Sequence, residues 1–430
     1  MRILSITAGA AGMYCGSCLR DNGLAVELLA RGHEVTLLPL YTPTTTDETN
    51  VSREQVLFGG ISVYLQQYLP FVRKLPRFID KFWDSPRVID AVAGRAVSND
   101  PKLLGELTVS MLQGEKGTLR REFEKLGDWI ESQPKPDIVN LPNSLLASMA
   151  GPLKRMLNRP VCCTLQGEEL FIDGLLEPYR SQALALIREH AQQVDRFVAV
   201  SEYCARFMPG YLGIPAERVS VVPLGINMTG YEAPRTASSE VFSIGYFARI
   251  APEKGLDALA QAYIRFRQRT GEARVRLEAA GYAAPAYQAY LEGVRGTLER
   301  AGLGGEFTYH GVLDREQKLA FLGSVNVLSV PAVYDEPKGL FLIEAMARGT
   351  PVVQPRRGAF TEMVERTGGG LLTSPGDAES LADAFERLWK DAGAAEGLGR
   401  KAFEGVRAHY TVEQSAARLA EIYERCTGHA

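Results

Sequence analysis

Apolar residues recur along this chain in two ways: as short unbroken runs, and at three- and four-residue spacing over longer stretches. Arg2–Ile6 is a run and predicts a strand. A glycine-rich loop follows, and then "CLRDNGLAVELLARG" predicts a helix with Leu19, Ala25, Leu28 and Leu29 on one face and Gly32 at its C-terminal end. "HEVTLLPL" is the next strand. The same order starts again at Val241–Phe247 ("VFSIGYF") and runs through the loop "ARIAPEKG", the helix "LDALAQAYIRF" and the strand "VRLEAAG". Two strand–loop–helix–strand openings predict an α/β protein of two doubly wound, Rossmann-like domains. Further strands are expected at "PDIVNL", "PVCCTL", "RFVAVS" and "VSVVPLG" in the first half, and at "FTYHG", "VNVLSVP" and "TPVVQP" in the second. The polar, turn-rich segment 229–240 reads as the linker between domains 1–228 and 241–410, and 411–430 as a closing amphipathic helix.

Length supports this division, because 430 residues exceed one ordinary core. A hydrophobic content of 46% and a charged content of 23% describe a soluble globular chain. A formal charge of −3 supplies no basic field, which argues against nucleic acid as the main partner. Six cysteines are too few for a disulfide framework, so a reducing cytoplasm is expected. Arg2–Ile6 is strand-length and runs at once into the glycine loop and helix, so it reads as the first strand and not as a removed signal. No apolar run reaches membrane-spanning length. Residues 69–132 are expected to form a helical insertion. Its 69–95 part mixes Phe71, Phe78, Phe82 and Trp83 with Arg73, Lys74, Arg77, Lys81 and Arg87. That mixture suits either a peripheral contact with the inner membrane face or a helical subdomain packing on itself.

Candidate chemistry gathers in three places. Glu336 and Glu344 lie eight residues apart in "YDEPKGLFLIEAMARGTPVV", with Gly339 between them. A turn at Gly339 opening a helix would aim backbone N–H groups at a ligand, and paired carboxylates accept hydrogen bonds from the vicinal hydroxyls of sugars and ribose. Arg249 and Lys254 stand in a loop just before a helix opening at Gly255, an arrangement suited to a diphosphate. Near the N-terminus, "AGMYCGSCLRDNG" can be read as a C-x-x-C dithiol or half metal site (Cys15, Cys18), or as a phosphate-binding loop using Gly12 and Gly16.

The combination of "R-x4-K-G" (Arg249, Lys254, Gly255) with "E-x7-E" (Glu336, Glu344), together with "RGHEV", "EAMARGTPVV" and "GGGLLTSPGD", resembles retaining glycosyltransferases of the GT-B fold, family 4. The resemblance spans nearly the whole chain apart from the insertion. It implies two Rossmann-like domains facing across a cleft, the acceptor on the first and a nucleotide-diphosphate-sugar donor on the second. It implies a last helix that packs back on the first domain. It also implies transfer with retention, with no resident cofactor or metal. By position, Arg249 and Lys254 would neutralise the diphosphate, Glu344 would hold the ribose hydroxyls and Glu336 the sugar hydroxyls. The backbone at Gly339 and Leu340 would assist, and His310–Gly311 would line the base pocket. The family's loop glycine falls on Gly16, which resolves the opening loop in favour of phosphate, with Gly12 beside it. Gln166 replaces a histidine common near the reacting sugar, and so stands on the acceptor and sugar side. The acceptor is a sugar, a lipid-linked molecule or another small molecule. The other readings are a nucleotide-sugar epimerase or hydrolase on the same fold, and a non-catalytic nucleotide-sugar-binding protein.

Overall fold

The computed structural model describes residues 1–9, 15–58, 101–232, 241–271 and 274–428. Gly12, the 69–95 aromatic and basic segment and most of the 229–240 linker lie outside the described residues. The chain divides into two compact units, 1–223 with 412–430, and 224–411.

In the first unit the elements run β1 (Arg2–Thr7), α1 (Gly16–Ala30), β2 (Glu34–Pro39), α2 (Pro101–Leu112), α3 (Arg120–Glu131), β3 (Ile138–Leu141), α4 (Ala150–Leu157), β4 (Val161–Leu165), α5 (Glu169–Asp173), α6 (Tyr179–Ala191), β5 (Arg196–Ala199), α7 (Glu202–Leu212) and β6 (Val219–Val221). The strands form one parallel sheet in the order β2-β1-β3-β4-β5-β6, with β1 in register with β2 from Arg2↔Glu34 to Thr7↔Pro39. Its central strands are buried along their whole length (IVNL in β3, VCCTL in β4), as a sheet covered by helices on both faces requires.

The second unit runs β7 (Phe242–Phe247), α8 (Leu256–Thr270), β8 (Val275–Ala280), α9 (Gln288–Arg300), β9 (Phe307–Tyr309), α10 (Arg315–Ser324), β10 (Val327–Leu328), α11 (Leu340–Ala347), β11 (Val352–Pro355), α12 (Gly358–Thr367), β12 (Gly370–Thr373), α13 (Ala378–Lys390) and α14 (Ala392–His409). Its sheet is also parallel, ordered β12-β11-β10-β7-β8-β9. Strand order reverses between β1 and β3 in the first sheet and between β7 and β10 in the second. In open α/β sheets, ligands enter the crevice at the carboxyl ends of the strands flanking such a reversal. The loops after β1 and β3, and those after β7 and β10, flank these two reversals.

Three features depart from the sequence pattern. The buried face of α1 coincides only in part with the one its apolar residues mark. Leu29 is exposed, while Cys18, Arg20, Asp21 and Asn22 are buried beside Ala25 and Leu28. Asn22 explains part of this, because its amide caps the segment beyond β2 by donating to the Thr49 carbonyl and accepting from the Val51 N–H. The change of unit falls at 223/224, ahead of the 229–240 stretch. Ile226 N–H bonds to the Tyr410 carbonyl, Tyr231 is fully buried and Arg315 donates to the Thr229 carbonyl, so 224–232 is held by the second unit. The glycine-rich "GGGLLT" supplies an edge strand, β12, that no apolar run announces.

The last helix, α15 (Val412–Thr427), belongs to the first unit. Its Ala416, Leu419, Ile422 and Tyr423 share an apolar cluster with Ile3, Leu28, Ile138 and Val198. Ser415 Oγ anchors its start to the Pro223 carbonyl at 2.7 Å. Tyr423→Ala is expected to destabilise the protein by about 3–5 kcal/mol through the cavity it leaves. The exposed Glu421→Ala, on the same helix, should stay within about 0.5 kcal/mol. Urea titration of the two variants beside the parent tests the contrast.

Candidate active site

The site in the second unit is assembled by two loops at the β7/β10 reversal. After β7 the chain makes a short helical turn, Pro252–Lys254, and Gly255 then opens α8 with φ at +73°. Any Cβ at Gly255 would overlap the Pro331 carbonyl oxygen, so only glycine lets this loop approach the one after β10. A backbone bond from Val333 N–H to the Glu253 carbonyl, at 3.0 Å, joins the two loops.

That approach brings Lys254 and Glu336 together. The Lys254 ammonium is ion-paired with the Glu336 carboxylate, whose side chain is 2% exposed, and donates to the Tyr334 hydroxyl at 2.7 Å. Tyr334 in turn donates to Glu336. The ammonium also sits 5.0 Å from the centre of the Tyr334 ring and 5.6 Å from that of Phe341, within cation–π range. The second Glu336 oxygen accepts from the Lys338 N–H at 3.2 Å. Burial alone would push the Glu336 pKa up. The charge and hydrogen bond of Lys254, the charge of Lys338 and the Tyr334 hydroxyl outweigh it and hold the group down at about 2. The Glu336 backbone is clasped from beneath by α12: its carbonyl accepts from the Ala359 N–H at 2.8 Å, and a Cβ on Gly358 would overlap it.

Gly339 is the N-cap of α11, with φ at +65°; the Leu342 N–H already bonds to the Gly339 carbonyl at 2.9 Å, and the Leu340 and Phe341 N–H groups precede the first helical bond. Arg249 stands on the same β7 loop with its side chain about half exposed, paired to Glu253 at 2.6 Å. Gly311 lies on the neighbouring loop, where its carbonyl accepts from the Gly281 N–H at 2.8 Å. His310 Nε2 pairs with Glu278 at 2.6 Å and meets the edge of the Phe321 ring. Arg276, Glu278, His310, Val312, Gln317 and Phe321 are among the residues lining a cavity of about 670 Å³. Glu344, on α11, is buried against Lys318 of α10 at 2.7 Å.

The second unit thus gathers Lys254, Glu336, Gly339 and Leu340 at one place, with Arg249 on the same loop. Glu344 is set by a separate ion pair one turn further along α11. Sequence reasoning did not identify Tyr334, Lys318 or Gly358. Tyr334 carries one local signal, an aromatic two positions before the carboxylate. Lys318 and Gly358 carry none, because their partners are fixed by the fold.

At the β1/β3 reversal of the first unit, Gly16 is the first residue of α1 and Ser17 the second. Ser17 Oγ donates to the Gln166 side-chain oxygen at 2.7 Å, and the Gln166 amide nitrogen donates to the Pro142 carbonyl at 2.7 Å. Gln166 is 5% exposed, so both ends of its amide are engaged in joining the loops after β1, β3 and β4. Glu168 is buried beside it. Its carboxylate accepts from the Ser144 and Gln166 N–H groups at 2.8 and 2.9 Å.

Residues 108–229 match the family model of Glycosyltransferase Family 4, and residues 233–405 that of glycosyl transferases group 1. The chain is 27% identical over 273 residues to a D-inositol 3-phosphate glycosyltransferase of a Nocardioides species, an alignment covering 59% of each. It is 25% identical over 255 residues to a GDP-mannose-dependent alpha-(1-6)-phosphatidylinositol monomannoside mannosyltransferase of Mycobacterium tuberculosis, over 56% of this chain and 64% of that one. The chain therefore spans about three-fifths of the length of these relatives. Among solved structures, sucrose-phosphate synthase of Thermosynechococcus elongatus superposes with a TM-score of 0.73 at 19% identity, covering 100% of this chain and 99% of that one. Anabaena HepE in complex with UDP superposes at 0.68 and 19% identity, covering 99% and 100%. The fold is that of the GT-B glycosyltransferases. No described helix is long and apolar enough to cross a membrane.

The Glu336–Lys254 pair has a definite pH signature. A folded-state pKa of about 2, below the ordinary 4.5, means that its contribution is complete above pH 4.5 and is lost as pH falls toward about 2. Stability measured from pH 6 to pH 2.5 should therefore fall more steeply for the parent than for Glu336→Gln, with a total difference of about 3 kcal/mol. Lys254→Met leaves a buried carboxylate uncompensated and should cost about 3–5 kcal/mol at pH 7. Chemical denaturation across that pH range reads both.

Proposed function

We propose, from a chain that carries Glycosyltransferase Family 4 and glycosyl transferases group 1 domains on the GT-B fold, that it transfers a sugar from a nucleotide-diphosphate-sugar to an acceptor with retention at the anomeric carbon and without a catalytic metal. The observation that carries this reading is the buried Lys254–Tyr334–Glu336 cluster at the N-terminus of α11, beside the opening of α8. When a donor enters, its diphosphate replaces Glu336 as the partner of the Lys254 ammonium, and the released carboxylate accepts hydrogen bonds from the sugar hydroxyls. One internal ion pair is thereby exchanged for two contacts with the substrate, each charge-assisted bond being worth about 1.5–3 kcal/mol.

Arg249 adds a second cation to the diphosphate, turning from Glu253, and the first N–H groups of α11 face the donor. As the glycosidic bond breaks, negative charge grows on the leaving phosphate, where Lys254 and Arg249 stabilise it more strongly than in the ground state. The departing phosphate oxygen takes the acceptor's proton, which places the acceptor on the same face as the leaving group. In this reading Glu344 holds the ribose, Gly311 borders the base, and Gly16 contacts the diphosphate. Gln166 acts by fixing the loop at Ser17. The relatives named for inositol phosphate and phosphatidylinositol mannoside substrates support a polyol or lipid-linked acceptor. A lipid-linked acceptor would place the work at the cytoplasmic face of a membrane.

A thermal-shift screen with UDP, GDP, ADP and TDP and their common sugars should identify one base family. A ligand at 100 times its dissociation constant adds about 2.7 kcal/mol. Stabilisation by none of them overturns the reading. Arg249→Ala should lower kcat by about 10²–10³ while changing stability by no more than about 0.5 kcal/mol, because its side chain is half exposed. Sugar release at the full rate without any acceptor would instead assign a hydrolase.

A further inference from the structure

The C-x-x-C of the first loop is not used in the proposed transfer, yet its surroundings are built for thiol chemistry. Cys15 is the N-cap of the fifteen-residue helix α1, half-buried and in extended backbone conformation, and Cys18 is the third residue of that helix, 1% exposed. The first bond of the helix, Leu19 N–H to the Cys15 carbonyl, is formed at 2.9 Å. The Thr7 hydroxyl donates toward the Cys18 sulfur at 4.0 Å. One turn further along the same face, Asp21 is 4% exposed. One of its oxygens is held by Arg20, while the other, Oδ2, has no hydrogen-bond partner.

We propose that Cys15 and Cys18 form a thiol–disulfide exchange site that takes low-molecular-weight disulfides of the glutathione type and is converted by them to an intramolecular disulfide. Cys15 is the attacking group: it lies at the positive end of the α1 dipole and is the more exposed of the two. Its bond to Cys15, burial and the Asp21 charge all push the Cys18 thiol up, so Cys18 keeps its proton and serves as the resolving thiol. Burial likewise raises Asp21 above the usual carboxylate range, which makes its unpartnered oxygen a proton acceptor.

In the first step the Cys15 thiolate attacks the disulfide RSSR, forming a Cys15–SR bond and expelling RS⁻. In the second step the Cys18 proton passes to Asp21 and the Cys18 sulfur attacks Cys15 Sγ. The Cys15–Cys18 bond forms, the Cys15–SR bond breaks and a second RS⁻ leaves. The two expelled thiolates take up the two protons, so the dithiol is oxidised by two electrons and RSSR is reduced to two RSH. The resulting ring encloses Gly16 and Ser17, and Ser17 is tied to Gln166. Its effect on the donor rests on the proposed function, in which Gly16 borders the diphosphate: oxidation removes the loop from its donor-binding conformation.

The test equilibrates the full chain in buffers of reduced and oxidised glutathione, alkylates the remaining thiols and maps the peptides. In the parent, Cys15 and Cys18 should lose alkylation together, before Cys162, Cys163, Cys204 and Cys426, and one peptide should lose the mass of two hydrogens. Cys18→Ser should retain glutathione on Cys15, and Cys15→Ser should retain none on Cys18. The proposal is overturned if Cys15 and Cys18 stay alkylated while other thiols oxidise, or if Cys18 takes up glutathione in Cys15→Ser. UDP and GDP binding to the oxidised and reduced parent gives the second readout, with affinity expected to fall about tenfold on oxidation and to return with dithiothreitol. Equal affinity in both states overturns the effect on the donor. Reduced protein that binds neither nucleotide counts against the proposed function, and the peptide map still decides the exchange site.

Discussion

The two loops that build the second-unit site are arranged around one costly act, the burial of the Lys254 ammonium and the Glu336 carboxylate against each other. Removing two such ions from water costs several kcal/mol each, and their attraction offsets this only where the remaining hydrogen-bonding capacity is also met. Here it is met by the Tyr334 hydroxyl and the Lys338 N–H, with the Phe341 ring beside the ammonium of the Lys254–Glu336 pair. Those contacts require the loops after β7 and β10 to come closer than side chains on both would allow, which is why glycine stands at 255. The same closeness beneath Glu336 requires glycine at 358. The position of β10 beside β7 in the sheet delivers the two loops to the same crevice.

This arrangement has a consequence for catalysis. A site that must neutralise a diphosphate in the transition state gains most when its cation is already desolvated and fixed, because little reorganisation is left for the moment of bond breaking. In the proposed reaction, holding Lys254 against Glu336 keeps the ammonium in place before the donor arrives, and the Tyr334 hydroxyl stays with either partner during the exchange. Under the proposed reaction, the carboxylate that preorganises the cation is also the group released to read the sugar. Donor recognition and charge stabilisation are then coupled through one ion pair.

Much of this was legible from residue order, and what was not shares a physical cause. Parallel strands buried on both faces appear as plain apolar runs, so "VFSIGYF", "PDIVNL" and "PVCCTL" announced themselves. Arg249, Lys254, Glu336 and Gly339 could be picked out because charge and glycine fall at fixed short spacing where strand gives way to helix. Partners separated by tens of residues leave no such trace. Lys318 meets Glu344 across 26 residues and Ser17 meets Gln166 across 149; only the order of strands decides either meeting. Helix α1 shows the opposite error. Its leucines drew a face that the fold leaves partly exposed, because the helix buries a polar patch of Arg20, Asp21 and Asn22, and periodicity weighs apolar residues alone.

The first unit ties its loops together with a neutral amide and a carboxylate. Where the second sheet places an ion pair at its reversal, the first places an amide, with Gln166 bonded at one end to Ser17 and at the other to the Pro142 carbonyl, and with Glu168 bracing the backbone beside it. An amide presents a donor and an acceptor at once and keeps both across the whole pH range, whereas an imidazole in that position would exchange one role for the other on protonation. Under the proposed reaction, proton movement in the transfer step falls to the leaving phosphate and the acceptor.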